Sequence, residues 1–484
     1  MHSTLQLIQS VKKHFGKNFA RINIFAIISC IATLGLIGSN VEAASRKISP
    51  RLAKVLGETQ NPVPVIVMLK QLPLLPTTLL GQTRISDRER MIKQETLRRQ
   101  SALRETVNEL VNMAGVTGDA AISRYKFFWT VNAMMATAPS DTIMNLSDRE
   151  DVEYITLDTR IRLTPDARQE AEVEGDAFTY GLERIGVPEL RQAHPEMTGK
   201  GVNVAIIDTG IDAAHPEFKG KNIIFKDFVG TKKEAYDDNG HGTHVAGTIS
   251  GIGAGGTQLG IAPQVNLIIA KVFTSGGSAS LSSILRAMEW VANPDGDANT
   301  KMRPRVVNNS WGGSIGDDAS KDPFMPAVLT WTQLEIFPSF AAGNEGPGTS
   351  TIGSPGGLPP AFAVGATDSS DGIARFSSRG PVKMIVNGKQ VTYVKPDVSA
   401  PGHEVFSAMP GGKYAKMSGT SMATPHNTGA IALLVQAHPQ LTVKQIREVM
   451  MKSAEPLGEK EMNNTFGAGR INIARGVELS ASLF

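Results

Sequence analysis

The sequence predicts an α/β protein, a parallel sheet with helices on both faces, preceded by a small α+β unit. Three observations predict it. From Gly201 onward the chain alternates nearly continuous apolar runs, at 202–207, 265–273, 306–309, 339–342 and 361–366, with helical stretches. Strands apolar throughout their length are those covered on both faces, as in parallel sheets. Between two of these runs, Leu281, Ile284, Leu285, Met288, Val291 and Ala292 recur at helical spacing. Ahead of residue 165 the pattern instead reads strand, helix, strand, helix, strand, which suits a small separate α+β unit.

The N-terminal end reads as an export signal over residues 1–43. Lys12, Lys13, Lys17 and Arg21 precede an apolar run at 24–37, then small residues at Ala43 and Ala44. That run is short for a bilayer span. Cys30 is the only cysteine, so removal of the signal leaves a chain with no thiol and no disulfide. In the α+β unit, residues 44–165, strands are expected at 63–69, 130–137 and 152–157, with helices at 85–113 and 140–147. Residues 164–177 are acidic and aperiodic, which predicts an exposed linker at 166–177 before the larger domain, 178–484. Within that domain Asn387-Gly388 between β-prone runs signals a hairpin over 382–394.

The formal charge of +3 is unevenly spread: 21 basic against 14 acidic residues up to residue 165, and 28 against 32 beyond it. The larger domain is therefore mildly acidic, which argues against a nucleic-acid partner.

Hydrolysis by a serine needs a base for the hydroxyl proton, a group to orient that base, and donors for the developing oxyanion. The sequence offers each. Asp208 ends an apolar strand and is followed by Thr209-Gly210, where the chain turns. His241 lies among small residues in Asp238-Asn239-Gly240-His241-Gly242-Thr243-His244-Val245-Ala246-Gly247. Ser421 lies in Ser418-Gly419-Thr420-Ser421-Met422-Ala423-Thr424-Pro425, where a tight loop enters an apolar helix whose first N–H groups can serve as oxyanion donors.

These segments resemble the subtilisin-like serine proteases: DTGID at Asp208, GHGTHVAGT around His241 and GTSMATP around Ser421, in the family's order. The resemblance covers about residues 178–475. It implies that Asp208 orients, His241 is general base and acid, Ser421 is the nucleophile, and Asn344, in Ala341-Ala342-Gly343-Asn344-Glu345-Gly346, donates to the oxyanion. It also implies an edge strand for substrate at Asn308-Asn309-Ser310-Trp311-Gly312-Gly313, with Ser310, Trp311 and Gly312 as contacts. Gly353 then floors the pocket for the residue before the cut, with Glu345 on its rim. A glycine floor suits large apolar side chains, and Glu345 can admit a basic one. The front unit resembles the family's inhibitory propeptide. The expected protein is thus a secreted, self-processing endopeptidase acting on proteins and peptides as a monomer, inhibited by its own front unit, with no nucleic-acid partner and no membrane contact once the signal is removed.

No cofactor is needed for this chemistry. Relatives hold a structural calcium in a loop after the histidine helix, but Ser250-Gly251-Ile252-Gly253-Ala254-Gly255-Gly256-Thr257 carries no side-chain carboxylate or amide. Only backbone carbonyls and Glu217 remain for a cation that takes several oxygen ligands. A second departure is Asn427-Thr428 after His426, two polar residues in a helix expected to be buried. The competing readings are a non-cleaving binding or chaperone-like protein on the same fold, and an esterase. Gly419-Thr420-Ser421-Met422-Ala423 does not match the esterase pattern Gly-x-Ser-x-Gly. A zinc pair at His241 and His244 is disfavoured because metal-binding helices space their histidines four apart with a glutamate between.

Overall fold

The computed structural model describes residues 47–484 except 73, 77–82, 118–121, 164–166, 173–174, 176, 315, 317, 387, 460–461 and 484. The export signal and Cys30 lie outside the described residues.

The front unit begins with α1 (Pro50–Glu58), capped by the Ser49 side chain, and β1 (Val63–Leu69). It continues with α2 (Ile85–Thr117), β2 (Ser123–Phe128), β3 (Ala133–Ala138), α3 (Ser140–Ser147) and β4 (Val152–Leu157). The four strands form one antiparallel sheet in the order β2-β3-β1-β4. The expected strand at 130–137 is in fact a hairpin: β2 turns at 129–132 into β3. The exposed Arg124, Tyr125 and Lys126 of β2 conceal a strand from a reading based on apolar runs.

The unbroken apolar run of β1 has a structural cause. Val65, Val67 and Leu69 pack with Leu103, Val107, Ile143 and Leu146 inside the unit, whereas Ile66 and Met68 join a cluster shared with the larger domain. Both faces are therefore buried, one of them by the neighbouring domain.

After β4 the chain runs through β5 (Arg160–Arg162) and β6 (Ala167–Ala171). The stretch expected to be a featureless linker thus contains a strand. β6 pairs antiparallel with a strand of the larger domain at Lys413–Ser418, with Ser418 opposite Ala167. The exposed Arg168, Gln169 and Glu170 give it a polar sequence, but backbone pairing to an open sheet edge does not require apolar side chains.

The larger domain is built on a seven-stranded parallel sheet. Its strands are β7 (Asn203–Asp208), β8 (Ile223–Asp227), β9 (Asn266–Lys271), β11 (Val306–Asn309), β12 (Phe337–Ala341), β13 (Phe362–Thr367) and β16 (Val398–Pro401), in the order β16-β13-β12-β11-β7-β9-β8. Between β9 and β11 lies the short strand β10 (Ser278–Ser280). β14 (Val382–Val386) and β15 (Lys389–Tyr393) are the expected hairpin, although Asn387 lies outside the described residues. β17 (Val405–Met409), β18 (Lys413–Ser418) and β6 make a three-stranded sheet.

Helices cover both faces. α4 (His241–Ser250) and α7 (Thr420–Ala437) pack against each other within one core. α5 (Leu281–Ala292) and α6 (Phe324–Gln333) fill the other with Trp331, Phe340 and Met288. The front unit sits on α5 and α6. Asp158 caps α5 by accepting from Ser282 N at 2.8 Å and Ser282 Oγ at 2.5 Å, and Thr330 Oγ1 donates to Thr130 O at 2.8 Å. Fully buried Glu89 pairs with Arg303 and Lys93 and accepts from Asn293 Nδ2 at 2.6 Å.

Two histidines in the core are held neutral. Burial pushes His244 down to about 3 and His426 down to about 4. In the unfolded chain both return to about 6.5. Above that pH both are neutral in either state and stability is at its full value. As pH falls below it the unfolded chain takes up protons that the native core refuses, so stability is lost progressively toward pH 3 to 4. Each site contributes a slope of about 1.4 kcal/mol per pH unit over its window. Chemical denaturation at pH 7 and pH 5 is expected to show the lower stability at pH 5, and equal midpoints would contradict the buried neutral state.

Candidate active site

Three chain segments converge at the carboxyl end of the sheet, where parallel α/β folds place their functional groups. Asp208 is the last residue of β7 and is fully buried. Its backbone carbonyl accepts from Val272 N at 2.8 Å, and its Oδ1 accepts from Thr209 N at 2.7 Å. The same Oδ1 lies 2.7 Å from His241 Nδ1. An imidazole that donates through Nδ1 presents Nε2 as its basic nitrogen.

His241 is the first residue of α4. Close approach of that helix to the turn after Asp208 depends on a missing side chain, since a Cβ on Gly242 would stand 2.2 Å from Gly210 O. Gly242 N donates to Thr209 Oγ1 at 2.8 Å, so the residue after Asp208 grips the residue after His241. Asp237 fastens the helix start, accepting from Gly240 N at 2.9 Å, Thr243 N at 2.9 Å and Thr243 Oγ1 at 2.7 Å. Beneath this lies Lys271, fully buried, whose Nζ donates to Thr209 O at 2.6 Å, Phe273 O at 2.9 Å and Asp238 Oδ1 at 2.6 Å. It bridges the loop after Asp208 to the loop before His241. Sequence reading missed it because a lysine ending a strand normally reads as exposed.

Ser421 lies in the first turn of α7, almost buried. Its Oγ donates to Ser310 O at 3.2 Å, and Ser310 Oγ donates to the Ser421 carbonyl at 2.7 Å. Asn344 follows β12. Its Oδ1 accepts from Thr420 N and Thr420 Oγ1, both at 2.9 Å, while Thr420 Oγ1 accepts from Gly343 N at 3.1 Å. The amide carbonyl is thereby fixed on the N-terminus of α7.

The cleft beside Ser421 is lined by Ser310, Trp311, Gly312, Asn344, Glu345 and Gly353. Sequence reading nominated all six. Two details differ from expectation. β11 is a central strand between β7 and β12, so only residues 310–312, beyond the end of the sheet and before Gly313 pairs with Ser354, can pair with a substrate. Trp311 turns its indole into the core, 5.4 Å from the Phe324 ring and 5.7 Å from that of Phe340, and meets the cleft through its backbone. Gly353 and its neighbour close the base: Gly313 N donates to Ser354 O at 2.8 Å, and Ser354 N to Gly313 O at 2.9 Å. Glu345 is exposed at the rim.

His244, three residues beyond His241, places Nε2 3.0 Å from Val405 O and 3.2 Å from Ala415 O, which suits a structural role. The calcium donor set does not fit a cation. Glu217 is fully buried, and its carboxylate accepts from Gly253 N at 2.7 Å, Gly255 N at 3.2 Å and Tyr414 OH at 2.8 Å. The loop therefore offers this carboxylate N–H donors.

Comparison with known proteins agrees with this geometry. The Subtilase family model matches residues 199–469. The chain is 39% identical over 306 residues to serine protease AprX of Bacillus subtilis (strain 168), covering 58% of this chain and 67% of that protein. It is 36% identical over 351 residues to subtilisin E of the same organism, covering 72% of this chain and 81% of that one. Bacillopeptidase F, also of that organism, is 33% identical over 381 residues, 71% of this chain but only 26% of its own length. With the fold, the order of the three segments and the family match in accord, the chain belongs to the subtilase family of serine endopeptidases.

Proposed function

We propose that the chain is a secreted zymogen that hydrolyses peptide bonds through Asp208, His241 and Ser421 and releases itself from its front unit. The observation that carries the catalytic reading is the buried 2.7 Å contact between Asp208 Oδ1 and His241 Nδ1, at the start of a helix that packs against the one bearing Ser421. In this reading Asp208 holds His241 in the tautomer whose Nε2 is the base. His241 takes the Ser421 proton as Oγ attacks the scissile carbonyl, then returns it to the leaving amine. The backbone N–H of Ser421 and Nδ2 of Asn344 stabilise the oxyanion. The substrate strand lies along residues 310–312. Its side chain before the cut enters between the walls at Gly312 and Gly353, with a broad preference for large apolar residues and Glu345 at the rim.

Self-inhibition by residues 44–165 is supported by how the chain pairs with the larger domain. β5 pairs antiparallel with β10, and Leu163 N donates to Gly277 O at 2.8 Å. Further along, β6 pairs with β18, the strand that leads directly into Ser421. Extended chain paired to strand edges of the larger domain is the posture of a substrate. Maturation by a cut beyond Leu163 leaves residues 178–484 as the working domain, acting as a monomer on proteins and peptides outside the cell. Among the described residues no helix is long and apolar enough to cross a membrane.

Ser421→Ala is expected to lose activity on the order of 10⁶-fold against a fluorogenic peptide, and to remain joined to its front unit while wild type acquires a new N-terminus beyond Leu163. Processing of the isolated variant at the wild-type site and rate would assign maturation to another protease. Asn344→Ala is expected to lower kcat by about 10² to 10³; an unchanged kcat removes it from the oxyanion site. No calcium is required in this reading, because Glu217 already has its donors. EDTA is expected to leave the thermal midpoint unchanged, and a midpoint that rises with added calcium would overturn it.

A further inference from the structure

The polar pair in α7 that the sequence leaves unexplained lies at the end of a buried hydrogen-bond chain that leads to Ser421. Asn427 and Thr428 are both fully buried, in a helix whose following turns are lined by Ala430, Ile431, Leu433 and Leu434. Thr428 Oγ1 stands 3.0 Å from Asn308 Oδ1 and 3.1 Å from Thr424 O. A hydroxyl has one proton to give. Thr428 supplies the only hydrogen bond described for Asn308 Oδ1, so the proton belongs there. Asn308, fully buried in β11, donates through Nδ2 to Ser310 Oγ at 2.9 Å. With that lone pair occupied, Ser310 directs its own proton to the Ser421 carbonyl at 2.7 Å. Every donor in the series therefore points toward the nucleophile, and the closing contact is Ser421 Oγ to Ser310 O at 3.2 Å.

Residues 421 and 428 lie two turns apart and share a face of α7. The chain thus fastens that face to the end of β11 at both levels. Asn427 adds a second tie, from Nδ2 to Ser339 Oγ at 3.0 Å on β12, the strand that leads to Asn344.

We propose that Thr428 and Asn308 are positioning residues for the nucleophile: acting through Ser310, they fix the height and rotamer of Ser421 against the substrate-pairing segment. This rests on Ser421 being the nucleophile. An apolar residue at 428 would fill the space equally well but leave Asn308 Oδ1 buried without its donor. Asn308 could then turn, and Ser310 with it. A displacement of about 1 Å at a reacting atom can cost on the order of 10² in rate.

The test uses the matured protein obtained from expression of the full-length chain, with kcat and KM on a fluorogenic peptide and the rate of Ser421 labelling by a fluorophosphonate. Thr428→Val is expected to lower kcat and the labelling rate about 10- to 100-fold with little change in KM. Thr428→Ser, which restores the donor, is expected to recover most of the loss. Ser310→Ala removes the last link and is expected to show a similar fall, and the double variant Thr428→Val/Ser310→Ala to lose much less than the two falls combined. Thr428→Val with wild-type kcat, Thr428→Ser as impaired as Thr428→Val, or losses that multiply in the double variant would each overturn the proposal. If Thr428→Val does not fold, Ser310→Ala still decides, since an unchanged kcat there removes the link. Failure of wild type to label at Ser421 would overturn the nucleophile assignment itself, a result distinct from labelling at equal rates in wild type and Thr428→Val.

Discussion

The 2.7 Å contact between Asp208 and His241 is the constraint around which the larger domain is arranged. It joins the end of a central strand to the start of a helix, and both must be brought together with little room between them. Gly242 supplies that room, and Thr209 and Asp237 use it to lock the helix start in place. Lys271 lies underneath as a buried cation whose hydrogen bonds go to the two loops and to Phe273 O. A buried charge is tolerated only when its partners are complete, so the loops and the lysine fix one another.

The same economy applies beyond Asp208 and His241. Glu217 is a buried carboxylate satisfied by backbone N–H groups and a tyrosine. The Tyr414 hydroxyl is held above its usual range, first by burial and then by the hydrogen bond it gives to Glu217. Thr428, Asn308 and Ser310 form a third such set. In each case polar groups are admitted to the interior in closed series of donors and acceptors, which confers a single geometry on the surrounding backbone.

Much of this was legible in the sequence. The motifs around Asp208, His241 and Ser421 are contiguous and chemically distinctive, and the strands buried on both faces appear as unbroken apolar runs. Legibility failed where the stabilising partner is distant in the chain. β2 and β6 carry polar side chains, and their identity as strands depends on backbone pairing to β3 and β18. Lys271 reads as a surface residue until the carbonyls of Thr209 and Phe273 are placed beside it. Asn427 and Thr428 look anomalous in a buried helix because their partners, Ser339 and Asn308, lie on neighbouring strands. Trp311 was nominated for the cleft through its position in a motif, which fixes the backbone; the neighbouring Phe324 and Phe340 decide where the ring goes.

The pairings of β5 and β6 to the larger domain give the proposed maturation a characteristic time course. Before the cut, β5 and β6 belong to one polymer, so the front unit competes for the cleft at the high effective concentration of a short tether. Once the chain is severed between them, β6 stays with the larger domain while β5 leaves or remains with the front unit alone. Blockade then becomes an ordinary bimolecular equilibrium that weakens on dilution. In the proposed scheme each molecule that sheds its front unit would destroy those of its neighbours, and onset of activity in a population would be self-accelerating, with a delay governed by the first few escapes.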